Sequence, residues 1–212
     1  MEEVLEVYQR PQDPQRPLIC LDETTKQLVC DTRAPWPPVP GHPEKFDFEY
    51  QRQGVGTLFM LSAPLEGWRQ VVVTERKTRI DYAQVLKALS DDYFPRAACI
   101  VLVQDNLNTH SFSSLYEAFQ PDEARRIRER FEIHYTPKHG SWLNMAEIEL
   151  NVLASQCLNR RIADMSELSQ QTTAWVQRRN QAQDRIQWRF TTADARIKLK
   201  RLYPSITALS IQ

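Results

Sequence analysis

The stretch ACIVLVQD, residues 98–105, is a continuous apolar run that ends on an acid. A run without alternating polar residues is typical of a β-strand that is buried on both faces of a sheet. Before it, Tyr82, Val85, Leu86 and Leu89 recur at the spacing of an amphipathic helix. A helix followed by a buried strand predicts a crossover connection that leaves this strand parallel to an earlier one.

The segment before the crossover helix carries further β-type stretches. LICLD at 18–22 and KQLVCD at 26–31 surround the polar residues ETT, which predicts either a hairpin or one long bent strand. GVGTLFMLSA at 54–63 and WRQVVVTE at 68–75 are joined by the turn signal PLEG. Together these stretches predict an antiparallel meander.

The segment after the buried strand alternates helix and strand patterns. SFSSLYEAF and PDEARRIRER, within 111–130, predict two short helices, and FEIHYT at 131–136 predicts another strand. Helical patterns fill the remainder, at 142–158, 165–182 and 192–202. This order of elements predicts an α/β protein with a ribonuclease H-like fold, a mixed five-stranded sheet flanked by helices. In that fold the first and fourth strands are neighbours.

Composition sets the broad class of the protein. The chain has 212 residues, 42% of them hydrophobic, which suffices for one domain with a normal core. No apolar stretch approaches the ~20 residues that span a bilayer, and the acidic start MEEVLEVYQR lacks the apolar centre of a signal peptide. We therefore expect a cytoplasmic protein. The four cysteines show no C-x-x-C spacing, which favours buried reduced thiols over zinc ligands.

Charge is distributed unevenly, although 27 basic residues balance 27 acidic ones. From Leu158 to Arg201 there are ten basic and four acidic residues, a net charge of +6. A basic C-terminal third beside an acidic remainder suits a protein that binds both a polyanion and metal ions. The distribution favours a nucleic-acid partner.

Three carboxylates lie where the predicted elements bring side chains together. Asp22 and Asp105 follow neighbouring strands, and Glu147 lies on the helix that begins near residue 142. Carboxylates clustered at strand ends are ligands for hard cations, and two Mg²⁺ ions can act on both oxygens of a phosphoryl displacement. The sequence therefore predicts a magnesium site for cutting and joining nucleic-acid backbones.

Two neighbouring glutamates compete for positions in this site. Because a helix turns 100° per residue, Glu147 and Glu149 lie about 200° apart, so only one of them can face the aspartates. Asn144 and Glu147 share one polar stripe, which favours Glu147. Glu23 is a similar rival of Asp22, since successive residues of a strand point to opposite faces.

Three motifs carry a family resemblance. LDET around Asp22, DNLNTH from Asp105 to His110, and SWLNMAE ending at Glu147 resemble, in order, the signatures of DDE transposases. The family meant is that of bacterial insertion sequences, the insertion sequence 630 and mariner-like superfamily, and the resemblance covers residues 16–204. It implies a ribonuclease H-like core, Mg²⁺ or Mn²⁺, and DNA strand cleavage followed by strand transfer. It also makes Asp22 rather than Glu23 the first catalytic metal ligand.

The resemblance implies domain limits as well. Residues 17–204 are the predicted catalytic domain with C-terminal helices, and residues 1–16 a helix and proline linker left from a missing DNA-binding region. The 41 residues between Asp105 and Glu147 exceed the interval in mariner relatives, and the paired helices predicted within 111–130 account for them.

The implied partners are double-stranded DNA, at the element ends and the target, and an upstream helix-turn-helix protein or domain. A homodimer on DNA is also implied, and the proline-rich loop at 33–45, with Trp36, is the segment expected to reach the second subunit. The protein would then be nucleoid-associated when bound to DNA.

Further residues are candidates for positioning a ligating carboxylate or for contacting DNA. Those close to the carboxylates in sequence are Glu23, Asn106, His110, Asn144, Lys138 and His139. The candidates for gripping the DNA backbone are Arg160, Arg161, Arg196 and Lys200. Trp142 is expected in the core rather than stacked on a base.

Two other functions are compatible with the same motifs. One is a metal-dependent nuclease of the same fold that hydrolyses DNA without strand transfer. The other is a non-catalytic DNA-binding or regulatory fragment of a transposase.

Overall fold

The computed structural model describes residues 1–33, 36–43, 48–138 and 140–203. The strands are β1 (Leu18–Asp31), β2 (Tyr50–Ala63), β3 (Trp68–Thr74), β4 (Ile100–Gln104) and β5 (Phe131–Tyr135). The α-helices are α1 (Glu2–Tyr8), α2 (Arg79–Ala88), α3 (Ser113–Ala118), α4 (Pro121–Arg128), α5 (Ala146–Leu153), α6 (Met165–Ala182) and α7 (Thr192–Lys198). The π-helical segments Leu89–Tyr93 and Ala154–Leu158 continue α2 and α5, and 3₁₀ turns lie at Ser141–Leu143 and Lys200–Leu202. None of the helices in these described ranges is both long and apolar enough to cross a membrane.

The five strands form one sheet in the order β3-β2-β1-β4-β5. β1, β2 and β3 form an antiparallel meander, whereas β4 is parallel to β1 and β5 is parallel to β4. The mixed sheet and the adjacency of the first and fourth strands confirm the predicted ribonuclease H-like arrangement.

The residues ETT do not form a turn, so β1 is one long strand rather than a hairpin. It pairs with β2 from Cys20↔Ser62 to Asp31↔Tyr50, with a bulge between Gln27 and Val29. Threonine is a good strand former, and pairing along all of β2 outweighs the weak turn tendency of the three polar residues.

The sheet separates two apolar cores. Cys20 packs with α1, α5 and α6 on one face, and Ile19 and Leu21 pack with α2, α3 and α4 on the other. Because alternate strand residues point to opposite faces, Asp22 continues the row of Cys20 towards α5. Glu23 continues the row of Leu21 towards α2.

All four cysteines lie in the described residues and are free thiols. Cys20 and Cys157 are buried, as predicted, but Cys30 and Cys99 are only half-buried.

Helix α1 packs in the apolar core that contains Cys20. Val4, Leu5 and Val7 are buried, and the Tyr8 hydroxyl donates a hydrogen bond to the Leu143 carbonyl at 2.6 Å. Residues 1–8 are therefore part of the same packed unit as the sheet, although the sequence division placed them outside the catalytic domain. An amphipathic pattern of seven residues indicates a helix but not the surface against which it packs.

We expect Leu5→Ala to lower the free energy of unfolding by about 2–5 kcal/mol, because the fully buried side chain leaves a cavity beneath α1. Glu6→Ala, at the exposed neighbouring position, is the control and should change it by less than about 0.5 kcal/mol. Urea denaturation followed by circular dichroism measures both variants. Equal stability of the two would show that α1 does not support the core.

Candidate active site

Parallel pairing brings the two aspartates to one edge of the sheet. β1 and β4 pair through Leu18↔Val101, Ile19↔Leu102 and Cys20↔Val103. Two residues further along this register, Asp22 is level with Asp105, the first residue after β4. β1 continues past this point beside β2 alone, so both carboxylates lie where the sheet opens.

Asn144 ties the third acid to the same place. Its Nδ2 donates to the carbonyl of Leu21 at 2.7 Å, and its Oδ1 accepts from the backbone N–H of Ala146 at 3.1 Å. The side chain is thus bonded both to the residue before Asp22 and to the start of α5, which carries the half-buried Glu147 in its first turn. Asn144 is buried, so it positions the helix and does not lie on a DNA-facing surface.

The charges of the three acids act on one another. The pKa of Asp22 is raised to about 7, mainly by burial and further by the negative charges of Glu23, Asp105 and Glu147. The backbone N–H of Glu23 donates to Asp22 Oδ1 at 2.8 Å and only partly offsets this increase. Carboxylates that repel in a half-buried site form the environment that a divalent cation would stabilise, and their hard oxygen atoms suit Mg²⁺ or Mn²⁺.

His110 forms a bridge between Asp105 and Glu23. Its Nδ1 lies 2.5 Å from Asp105 Oδ1, and its Nε2 lies 3.2 Å from Glu23 Oε2. Burial alone would lower the pKa of His110, but the two carboxylates raise it to about 9, so the imidazole is protonated at neutral pH. In return, His110 holds the pKa of Asp105 below its ordinary value despite burial. Glu23 is therefore an ion-pair partner of His110, and its Oε1 also lies 3.6 Å from Lys77 Nζ.

The loop that carries His110 is fixed by buried polar groups. The carbonyl of His110 accepts hydrogen bonds from Gln104 Nε2 at 3.3 Å and from the Tyr135 hydroxyl at 3.0 Å. The Tyr82 hydroxyl donates to Gln104 Oε1 at 2.8 Å, and its ring lies 4.8 Å from the imidazole. These contacts hold the DNLNTH segment against the sheet and leave the Asp105 carboxylate facing the cleft.

One set of three potential metal ligands comes close together within the described residues, and it is not the set predicted from sequence. Ligand atoms of Glu23, Asp105 and His110 all lie within 4.8 Å of one another, whereas Asp22, Asp105 and Glu147 are spread more widely. In the first set the protonated His110 attracts the two carboxylates, whereas the three carboxylates of the second set repel one another. Both ring nitrogens of His110 already contact carboxylates, so the imidazole acts as a bridge between them. The carboxylate oxygens of Asp22, Asp105 and Glu147 therefore suit a hard cation better than the imidazole does.

Glu149 lies in the interior, away from the aspartates. Its carboxylate forms ion pairs with Arg69 at 3.1 Å and with Arg179 at 3.1 Å, and Arg69 and Glu149 are 1% exposed. The angular argument placed the two glutamates on different faces of α5, but it could not reveal that Glu149 has buried partners of its own.

A cleft opens beside Asp105. It is lined by Asp105, Asn106, Lys138 and Ser141, together with the short segments around them. Asn106 and Lys138 are exposed here, where they can contact a phosphate. His139, the neighbouring candidate, lies outside the described residues.

Three of the four basic candidates from the C-terminal third already have side-chain partners. Arg160 contacts Gln171, and Arg161 pairs with Asp31 at the far end of β1. Arg196 pairs with Glu2 through two hydrogen bonds of 2.7 and 2.8 Å, and Lys200 is exposed in the 3₁₀ turn after α7. If Arg161 or Arg196 contacts DNA, that contact would have to replace the ion pair with Asp31 or Glu2. Sequence position alone could not show these partners.

Comparison with known proteins agrees with this fold. Residues 17–169 match the family described as DDE superfamily endonuclease. The crystal structure of the Mos1 mariner paired end complex with Mn is similar over 86% of this chain and 56% of that chain, with a TM-score of 0.53 and 16% identity. The Mos1 Strand Transfer Complex gives the same coverage, with a TM-score of 0.55 and 15% identity. This chain thus spans a little over half the length of these structural relatives, and identities this low show similarity of fold alone. Comparison with curated proteins gave no match.

Proposed function

The chain belongs to the DDE superfamily of endonucleases, and from that membership we propose that it is a transposase catalytic domain that cleaves DNA strands and transfers them to a target. The observation that carries the proposal is the meeting of Asp22, within β1, and Asp105, just after the parallel neighbour β4, with the helix of Glu147 tied to β1 through Asn144. The raised pKa of Asp22 supports it, because burial and, to a lesser extent, the negative charges of Glu23, Asp105 and Glu147 disfavour an isolated carboxylate there.

Asp22, Asp105 and Glu147 would hold the metal, Mg²⁺ or Mn²⁺, in a site for two ions. When bound, such ions supply positive charge to the attacking and leaving oxygens of a phosphoryl displacement. The protein's side chains supply the positioning. His110 fixes the Asp105 carboxylate, Asn144 fixes α5, and Lys138 lies in the cleft where the phosphate backbone would pass.

The wider setting follows from the same proposal. The partner is double-stranded DNA, bound through its backbone, and an upstream helix-turn-helix region would supply recognition of element ends. Trp36 and Val39 are 71% and 55% exposed, which supports contact of the proline-rich loop with a second copy on DNA. Residues 17–204 remain the proposed catalytic unit, with activity in the cytoplasm at the nucleoid.

A plasmid assay tests the proposal and separates it from its two alternatives. The protein is incubated with supercoiled plasmid, Mn²⁺ or Mg²⁺, and short labelled duplexes that end in a free 3′-hydroxyl. A transposase domain nicks the plasmid and joins the label to it, a nuclease nicks without joining, and a non-catalytic fragment only binds. Absence of both reactions, in the presence of DNA binding, would reject the catalytic proposal.

We expect His110→Gln to slow metal-dependent cleavage by about 10- to 100-fold, because an amide cannot bridge Asp105 and Glu23 at once. His134→Gln is the matched control. His134 is also buried between two carboxylates, with Nδ1 2.6 Å from Glu3 and Nε2 2.8 Å from Glu132, but it lies on β5 away from the site. If both variants lose stability and neither loses activity, His110 does not position the catalytic carboxylate.

A further inference from the structure

Four aromatic rings form a cluster beside the start of α5, here called the aromatic stack: Tyr8, Trp142, Trp188 and Phe190. The ring of Trp142 stacks on that of Trp188 with centroids 6.5 Å apart and planes at 24°. Phe190 meets Trp142 edge-on at 5.9 Å, and Tyr8 contacts Trp188 at 5.2 Å. Trp142 is the outer member and is 43% exposed, so it is not the core residue that the sequence suggested.

The aromatic stack is held rigidly from below. The buried Tyr8 donates to the carbonyl of Leu143, the residue after Trp142, and Trp188 Nε1 donates to the Phe190 carbonyl at 2.8 Å. The exposed ring of Trp142 is thus presented on a fixed base. A planar group that is already immobilised loses little conformational entropy when a ligand stacks on it.

The position of Trp142 relates it to the acids. The preceding residue, Ser141, lines the cleft with Asp105 and Lys138. Two residues after Trp142, Asn144 is bonded to the carbonyl next to Asp22. Trp142 therefore lies in the chain between a residue that lines the cleft and a residue that is bonded to the strand of Asp22.

We propose that the outer face of Trp142 stacks on the base of an unpaired nucleotide next to the scissile phosphate. The inference rests on the proposed function, since it concerns DNA bound at the same site. The charge around the ring suits a polyanion, because Lys138 is exposed in the adjoining cleft and Lys198 Nζ lies 5.6 Å from the Phe190 ring. One half-exposed ring is too small for a protein interface, which typically buries about 800 Å² per partner, whereas a single aromatic ring can stack on one base.

The test uses the full chain and two DNA probes without added metal: a blunt duplex, and the same duplex with a short single-stranded extension. The first unpaired base is 2-aminopurine, whose fluorescence is quenched by stacking. We expect the parent and Trp142→Phe to quench it and Trp142→Ala not to. Trp142→Ala should bind the extended duplex about 5- to 150-fold more weakly and the blunt duplex as well as the parent does.

Tyr116→Ala is the matched control, because Tyr116 is 47% exposed on α3 and belongs to neither the cleft nor the aromatic stack. It should leave both affinities and the quenching unchanged. Equal weakening of both duplexes by Trp142→Ala would mean a backbone contact and would overturn the proposal. The proposal would also be overturned if Trp142→Ala changed only the melting temperature or only self-association, with both affinities unchanged. A parent protein that binds neither probe would overturn it as well. Failure of the proposed function shows separately, as a parent that neither nicks nor joins plasmid DNA.

Discussion

Asp105→Asn should abolish metal-dependent DNA cleavage by this domain, with a rate at least about 1,000-fold below that of the parent. The substitution removes a charge from the metal site but preserves the shape of the side chain, so the contacts with His110 and the Leu107 N–H can persist. Charge stabilisation by a metal ion contributes several kcal/mol to such reactions, and each 1.36 kcal/mol is a factor of ten in rate. Plasmid nicking measures the rate, and calorimetry with Mn²⁺ measures the accompanying loss of metal affinity.

The same result is expected for Asp22→Asn and Glu147→Gln, because each removes one of the three carboxylates. Asp122→Asn is the matched control, since Asp122 is an exposed aspartate in the first turn of α4, away from the sheet edge. It should retain both cleavage and Mn²⁺ affinity. An Asp105→Asn protein that binds Mn²⁺ and nicks DNA like the parent would place the metal elsewhere.

The topology was predictable because two different hydrophobic periods alternate along the chain. The unbroken apolar run of β4 indicated a strand buried on both faces, and the helix before it predicted the parallel pairing with β1. The sequence did not decide between a hairpin and one long strand for residues 18–31, because pairing with β2 carries the strand through ETT. Local propensity gives weak information where a long-range partner decides the outcome.

The candidate site was predictable to the extent that backbone geometry places side chains. Asp22 and Asp105 come together because β1 and β4 are parallel neighbours, although Asp22 lies within β1 and not after it as predicted. Helix periodicity put Glu147 and Glu149 on different faces. The bridge from Glu23 through His110 to Asp105 was beyond this reasoning, since it depends on how a loop folds over the sheet. The one available signal was a charged residue directly after Asp22 on the opposite face.

Arg69 illustrates a signal that sequence reasoning overlooked. It lies second in β3, a strand that is otherwise apolar or neutral, and its partner Glu149 is 80 positions away. A charge in such a strand is expected to have a buried partner, because a lone buried charge is too costly. The sequence does not say which acid provides it.

Glu149→Gln should lower the free energy of unfolding by about 3–5 kcal/mol, a large fraction of the typical total. Arg69 and Glu149 are each 1% exposed, so loss of the carboxylate leaves the guanidinium of Arg69 buried without its ion-pair partner. Burial already lowers the pKa of Arg69, and Glu149 counteracts that effect. Urea denaturation measures the loss. Glu149→Gln is therefore a structural substitution and cannot serve as a neutral control for the metal site.

Glu147→Gln is the matched comparison, because the same chemical change two residues earlier removes a proposed metal ligand and no buried ion pair. It should abolish cleavage while changing the free energy of unfolding by less than about 0.5 kcal/mol. A double-mutant cycle with Arg69→Met then separates the pair from its surroundings. If Arg69 and Glu149 interact as the structure indicates, the double variant loses less stability than the sum of the single ones, with a coupling of about 0.5–3 kcal/mol. Additive losses, or a Glu149→Gln protein as stable as the parent, would show that this ion pair does not stabilise the fold.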